Sequence, residues 1–245
     1  MLTALGFLTA LPVPRRVADA ATLARALIFF PLVGLLVGAL LLALDLLLAP
    51  LLPNGVRVAL LLGAGIGLTR ALHLDGLMDC CDGLFGGFTP EHRLEVMRDS
   101  RVGAFGVLGA IVVLLLRFNG LTALSDAWLV AGLLLPPTLG RWAMALAIVA
   151  YPYGRPTGLG VSFKAGASWR QVALAGILAT GAATALWWPW GVLALPVVAA
   201  LTAGVARFMR GRLPGLTGDC YGAINEIVEV VLLLAVVAAQ TVSGR

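Results

Sequence analysis

Residues 27–49 read LIFFPLVGLLVGALLLALDLLLA, and this run decides the fold. A helix needs roughly 20 mostly apolar residues to cross the ~30 Å hydrocarbon core of a bilayer. The run supplies them, with Gly34 and Gly38 at the four-residue spacing that lets two membrane helices approach closely. Working outward, further spans are predicted at about 56–73, 103–124, 127–150 and 224–242. Residues 171–206 contain no charge. As one helix they would measure ~54 Å, too long for a single crossing. The chain must turn inside them, and Trp187-Trp188-Pro189-Trp190-Gly191 is the obvious place, with aromatic rings suited to a membrane interface. The prediction is all-α: one membrane-embedded domain, 1–245, a transmembrane bundle of about seven spans.

Composition agrees. Of 245 residues, 60% are hydrophobic and 12% charged, and mean hydropathy is +1.00. A soluble domain carries about 25% charge, so this inventory cannot build a water-solvated surface. That excludes a cytosolic globular enzyme, a nucleic-acid binder and a disordered chain. The net charge of +5 then belongs to the loops. With the N-terminus in the cytoplasm, thirteen basic residues, from Arg15 and Arg16 to Arg212, fall inside. Only Arg57 and Arg245 fall outside, and Arg117 and Arg141 sit within spans. Arg117 is free to snorkel, whereas Arg141, near mid-span, must face the bundle or a wet cavity. The apolar residues 2–11 precede Arg15–Arg16 instead of following them, the wrong order for a secretory leader. Cys80, Cys81 and Cys220 do not make a disulfide framework, and adjacent Cys80 and Cys81 read as small buried thiols on the cytoplasmic side.

The acids are grouped. Asp75, Asp79, Asp82, Glu91, Glu95 and Asp99 lie close together, and Asp219, Glu226 and Glu229 form a second cluster. Carboxylates near apolar surroundings are expensive unless paired or metal-bound. In HLDGLMDCCDG, 73–83, Asp75, Asp79 and Asp82 stand at i, i+4 and i+7 on one helix face. Such a face suits a hard ion such as Mg²⁺, which takes a few carboxylates plus substrate phosphates; otherwise Arg70 and Arg93 would neutralise it. In MRDSRVG, 97–103, Arg98, Ser100 and Arg101 around Asp99 suit a phosphate clamp, or are a positive flank to the next span. In Asp219 to Glu229, Glu226 and Glu229 could complete a metal shell, orient a substrate hydroxyl, or simply start a helix. His73 reads as a satisfied interfacial histidine. No phosphate-binding P-loop pattern is present and Lys164 is the only lysine, which argues against P-loop nucleotide hydrolysis.

Together these motifs resemble the cobalamin synthase family, adenosylcobinamide-GDP ribazoletransferases. The resemblance runs nearly end to end: LPVPRR at 11–16, FPLVGLLVG at 30–38, HLDGLMDCCDG at 73–83, LEVMRDSRVG at 94–103, Arg141, GLG at 158–160, and TGDCYGA at 217–223 followed by Glu226 and Glu229. The family more often has Ala and Thr where this chain has Met78 and Cys80. The resemblance implies a multi-pass bacterial inner-membrane enzyme with a cytoplasmic N-terminus and site. Such an enzyme joins adenosylcobinamide-GDP to α-ribazole or its 5′-phosphate, releases GMP and needs Mg²⁺. Its partners would be corrinoid and nucleoside small molecules and membrane lipid, not nucleic acid; a homo-oligomer or association with other corrinoid-assembly enzymes stays open. On this reading Asp75, Asp79 and Asp82 hold Mg²⁺ on the diphosphate, and Arg98 and Arg101 stabilise the departing GMP. Asp75, Asp99 and Asp219 are the catalytic candidates, Asp99 and Asp219 either completing the metal shell or taking the hydroxyl proton. Arg98, Ser100, Arg101, Arg141, Glu226 and Glu229 bind substrate, and loops at about 73–102, 151–170 and 207–223 build the site.

Two other classes compete with this reading. A membrane CDP-alcohol phosphotransferase also uses Asp-rich helices and Mg²⁺, but the Ala and Arg that its pattern wants after Asp75-Gly76 are missing. A cation-coupled transporter places its carboxylates near the bilayer midplane, whereas these are expected at one face.

Overall fold

The computed structural model describes residues 1–14 and 19–244. Arg15, Arg16 and Arg245, used above to orient the chain, lie outside the described residues, as does the end of the LPVPRR motif. The described residues form twelve α-helices: α1 Leu2–Leu8, α2 Ala20–Ala26, α3 Phe30–Leu48, α4 Asn54–Leu68, α5 Leu72–Gly86, α6 Pro90–Val96, α7 Ala104–Ala123, α8 Asp126–Ala150, α9 Leu159–Gly166, α10 Trp169–Leu186, α11 Gly191–Arg210 and α12 Gly218–Ser243. A 3₁₀ turn, Leu27–Phe29, joins α2 to α3.

The axis of the bundle is α8, buried along most of its length, with α3, α10, α11 and α12 packed around it. Gly34 and Gly38 do what their spacing predicts. A Cβ on Gly34 would run into the Pro137 carbonyl, and one on Gly38 would meet the backbone of Leu133 and Leu134 at 2.5–2.8 Å. Glycine is therefore what lets α3 lie directly on α8. The turn predicted in 171–206 falls between Leu186 and Gly191, with Trp188 and Trp190 exposed. Arg57 of α4 pairs with the buried Asp45 of α3 at 2.8 Å, closing the α3–α4 hairpin.

About seven spans are expected, and the described residues supply five or six. Five helices are long and apolar enough to cross alone: the run Ala20–Leu48, α7, α8, α11 and α12. The pair α4–α5 makes a sixth only as a broken span bent by 87°. The seventh candidate, α10, opens on Trp169-Arg170-Gln171 and is not apolar enough to join them.

The break in α4–α5 is what positions the acids. Arg70 and Ala71 take left-handed backbone at φ 54° and 55°, a conformation that side chains with a Cβ rarely adopt. The break is held from outside, since Arg70 Nη2 donates to the Gly6 and Phe7 carbonyls at the end of α1, at 3.0 and 3.3 Å. The chain then starts α5 in a new direction, across the beginning of α12.

Candidate active site

Two glycines bring the acidic helices together. A Cβ on Gly76 of α5 would stand 2.8 Å from the Asp219 carbonyl, and one on Gly222 of α12 would stand 3.1 Å from His73 Cα. The helices cross backbone to backbone, which sets Asp75 and Asp79 beside Asp219. The three carboxylates repel one another at this distance. Below them Cys80 and Cys220 are buried as free thiols with sulfurs 3.9 Å apart; of the two thiols expected to be buried, Cys80 is and Cys81 is half-buried.

The start of α12 is laced to the loop after α8. Leu216 N–H donates to the Pro152 carbonyl at 2.9 Å, and Gly154 N–H to the Leu216 carbonyl at 2.8 Å. Gly154 and Gly215 touch so closely that neither could carry a side chain. This lacing delivers Arg155, whose Nη2 donates to Asp219 Oδ2 at 2.9 Å and to the Met97 carbonyl at 3.4 Å. Thr217 caps α12 through Cys220 N–H, and its hydroxyl also donates to Asp219. Arg98 lies close enough to bear on Tyr153 of the same loop. The cleft thus has three carboxylates, a guanidinium on one of them, and a second arginine at its rim.

The other candidates lie elsewhere. Asp82 turns from Asp79 to the start of α7, where its two oxygens accept the N–H groups of Gly103 and Gly106, each at 2.8 Å. A Cβ on either glycine would overlap the carboxylate. It is an anion seated on a helix N-terminus, each oxygen accepting a backbone N–H there, so a partner other than the metal expected from the sequence accounts for its charge. Asp82→Ala is therefore expected to lose about 1–3 kcal/mol of stability, read as a lower melting temperature in detergent, with turnover per folded molecule retained. Lost turnover at unchanged melting would return Asp82 to the site.

Asp99 sits in an exposed turn, clasped through both oxygens by Arg101 at 2.6–3.1 Å. That clasp holds its carboxyl down at about 2, so it is a poor proton acceptor near neutral pH. Arg98 and Ser100 are exposed beside it. Arg70 and Arg93 do not neutralise the acidic face: Arg70 serves α1, and Arg93 donates to the Gly87 and Arg212 carbonyls.

Glu226 and Glu229 are two to three turns into α12, about 12–16 Å from its start. They form a buried ionic group with Arg117 of α7 and Arg141 of α8. Arg117 reaches Glu229 at 2.7 Å and Glu226 at 3.1 Å, and Arg141 reaches Glu229 at 3.0 Å. Asn225 Nδ2 donates to Glu229 at 2.7 Å. Arg117 thus points inward instead of snorkelling, and Arg141 faces the bundle, as an intramembrane charge must. The partners of these four charges are one another, so the structure gives them no place in the acidic cleft. His73 is buried between the two regions with Nε2 unpartnered, not satisfied at an interface.

Sequence reasoning missed Arg155, Tyr153 and Thr217. The Arg155–Asp219 contact spans 64 residues. Its only signal was Tyr153-Gly154-Arg155 in a loop shortly before the GLG of 158–160.

A helical bundle in a membrane, with carboxylates and arginines gathered in a cleft where three helix-flanking segments meet, defines an integral-membrane enzyme. The chain belongs to the cobalamin-5-phosphate synthase family, whose profile matches residues 1–237. It is 38% identical over 240 residues to the adenosylcobinamide-GDP ribazoletransferase of Desulforamulus reducens, covering 98% of this chain and 96% of that one. It is 41% identical over 242 residues to the enzyme of the same name from Desulfitobacterium hafniense, covering 94% and 93%. The Ralstonia pickettii enzyme of that name is 36% identical, covering 96% and 94%. No solved structure matches.

Proposed function

We propose that the protein joins adenosylcobinamide-GDP to α-ribazole, or to its 5′-phosphate, with release of GMP. The observation that carries this reading is the crossing of α5 and α12, which sets Asp75 and Asp79 against Asp219 and its Arg155. In this step the acceptor hydroxyl oxygen bonds the phosphorus carrying the cobinamide. The P–O bond to the GMP phosphate breaks, and the hydroxyl proton passes to a carboxylate. Asp219, hydrogen-bonded by Arg155 and Thr217, would take that proton. Arg155 and Arg98 hold negative charge on the phosphates.

The residues fit Mg²⁺. Neither Asp75 nor Asp79 has a side-chain ion pair among the described residues. Among the same residues no three acids, histidines or cysteines converge into a ready-made cage. Mg²⁺ rarely asks for one, since one or two carboxylates plus substrate phosphates suffice. Asp75 and Asp79 would hold it, and it would supply positive charge to the diphosphate oxygens. Mixing the GDP ester, α-ribazole and purified protein with Mg²⁺ should release GMP; uptake of a cation into liposomes without GMP release would favour a transporter.

The cleft faces the cytoplasm of a bacterial inner membrane on this reading, because most basic residues flank it. Cysteines replacing Thr89 or Thr157, both exposed, should be labelled by a membrane-impermeant reagent from the cytoplasmic side only. Labelling of both from the opposite side would invert the topology.

A further inference from the structure

Beside the acidic cleft lies a cavity of about 280 Å³, at the small end of ligand pockets, which run to about 300–1,000 Å³. A corrin ring does not fit such a space; a single flat ring system does. Asp75, Arg155 and Asp219 are among its lining residues, and most of the others are apolar or glycine. Phe7 and Phe163, their rings tilted by 49° with centroids 4.9 Å apart, wall it together with Met144 and Ile148. Tyr153 and Tyr221 also line it, with nearly parallel rings 29° apart in plane. Tyr221 is 3% exposed, and its hydroxyl, like Nε2 of His73, which also lines the cavity, has no hydrogen-bond partner. The GLG motif at the start of α9 keeps the wall open, because a Cβ on Gly160 would overlap the Tyr153 ring.

We infer that this slot binds the base of the acceptor nucleoside, with Tyr221 reading its single free ring nitrogen. The inference rests on the ribazoletransferase reading of the adjoining cleft. The base of ribazole is a benzimidazole: flat, bicyclic, apolar at its edge, with one acceptor nitrogen and no donor. That inventory matches aromatic and aliphatic walls with the Tyr221 hydroxyl as donor. Guanine, the base on the other substrate, matches poorly. Its amide, amino group and ring nitrogens outnumber the free Tyr221 hydroxyl and His73 Nε2, and those left over would face Phe7, Met144, Ile148 and Phe163, where each polar group buried without a partner weakens binding. With the base in the slot, the attached ribose falls at Asp75, Asp219 and Arg155, where its hydroxyl must react.

The test is equilibrium binding of α-ribazole to the full-length protein in detergent, followed by turnover with GMP release as readout. Tyr221→Phe keeps the ring and removes the hydroxyl, so the Kd for α-ribazole should rise about threefold to tenfold. An indole α-riboside, with C–H in place of the ring nitrogen, should bind wild type and the variant equally. The KM for the GDP ester should stay within twofold. Equal weakening of both ribosides, or a rise confined to the GDP ester, would overturn the assignment, the second outcome putting guanine in the slot. Gly160→Ala, which crowds Tyr153 from a different element, should raise the acceptor Kd without the indole discrimination. Binding is read apart from chemistry: ribazole bound with this pattern but no GMP released refutes the proposed reaction and leaves the slot standing.

Discussion

Replacing Asp79 by Asn is expected to lower GMP release about 10²–10³-fold while leaving the helical fold intact. The substitution keeps size and hydrogen-bonding atoms and removes one negative charge. In the folded protein that charge is repelled by Asp75, Asp219 and Asp82 and is met by no side-chain ion pair. Its removal relieves that repulsion, so melting without Mg²⁺ should stay level or rise slightly. With Mg²⁺ added, the wild type should gain stability and the variant gain less, because only binding to the folded state stabilises it. The catalytic loss follows because charge builds on the leaving phosphate as the P–O bond breaks, and a charge held there counts most in the transition state. Asp75→Asn should behave alike, and Asp82→Ala should show the opposite pattern, with lower melting and retained turnover. Near-wild-type GMP release from both Asp79→Asn and Asp75→Asn would end the assignment of this cleft.

That contrast marks what the sequence could and could not tell. The spacing of Asp75, Asp79 and Asp82 was read as one face, and helical geometry does put all three on it. What spacing cannot reveal is which neighbour a side chain meets. Asp82 meets the N-terminus of α7 because Gly103 and Gly106 leave room for it, and nothing within 73–83 announces those glycines. The apolar runs were legible because crossing a bilayer imposes a length that composition alone displays. So was the close approach of α3, since small residues at i and i+4 have few other uses in a membrane helix; its partner on α8 was not. The break at Arg70 and Ala71 was illegible for a plain reason: left-handed backbone is normally signalled by glycine or asparagine. Here it is imposed by contacts with α1, a segment 63–64 residues away. The second acid cluster was found and misplaced. Glu226 and Glu229 looked interfacial because they follow Asp219 closely, but the helix begins at Gly218 and carries them inward.

Their burial sets up the largest stability effect. Arg141→Met is expected to destabilise the folded protein by about 3–5 kcal/mol, a fall in melting temperature of roughly 6–20 °C for a chain of this size. Arg141 is 1% exposed, and its Nη1 donates to Glu229 Oε1 and the Pro137 carbonyl, each at 3.0 Å. Two arginines face two glutamates, so the group is neutral as built. Removing Arg141 leaves one uncompensated negative charge among apolar helices, and Arg117 alone must then serve both Glu226 and Glu229. Glu229→Gln makes the opposite error, leaving two guanidiniums to share Glu226, and should cost a similar amount. The double variant Arg141→Met with Glu229→Gln restores neutrality and should recover most of the loss, because the penalty belongs to the orphaned charge and not to the missing bond. Melting of the four proteins in one detergent gives the coupling directly. Turnover per folded molecule separates this from a substrate-binding role, in which Arg141→Met would abolish GMP release and the double variant would stay inactive. A double variant no more stable than either single one would mean that charge balance is not what this cluster supplies.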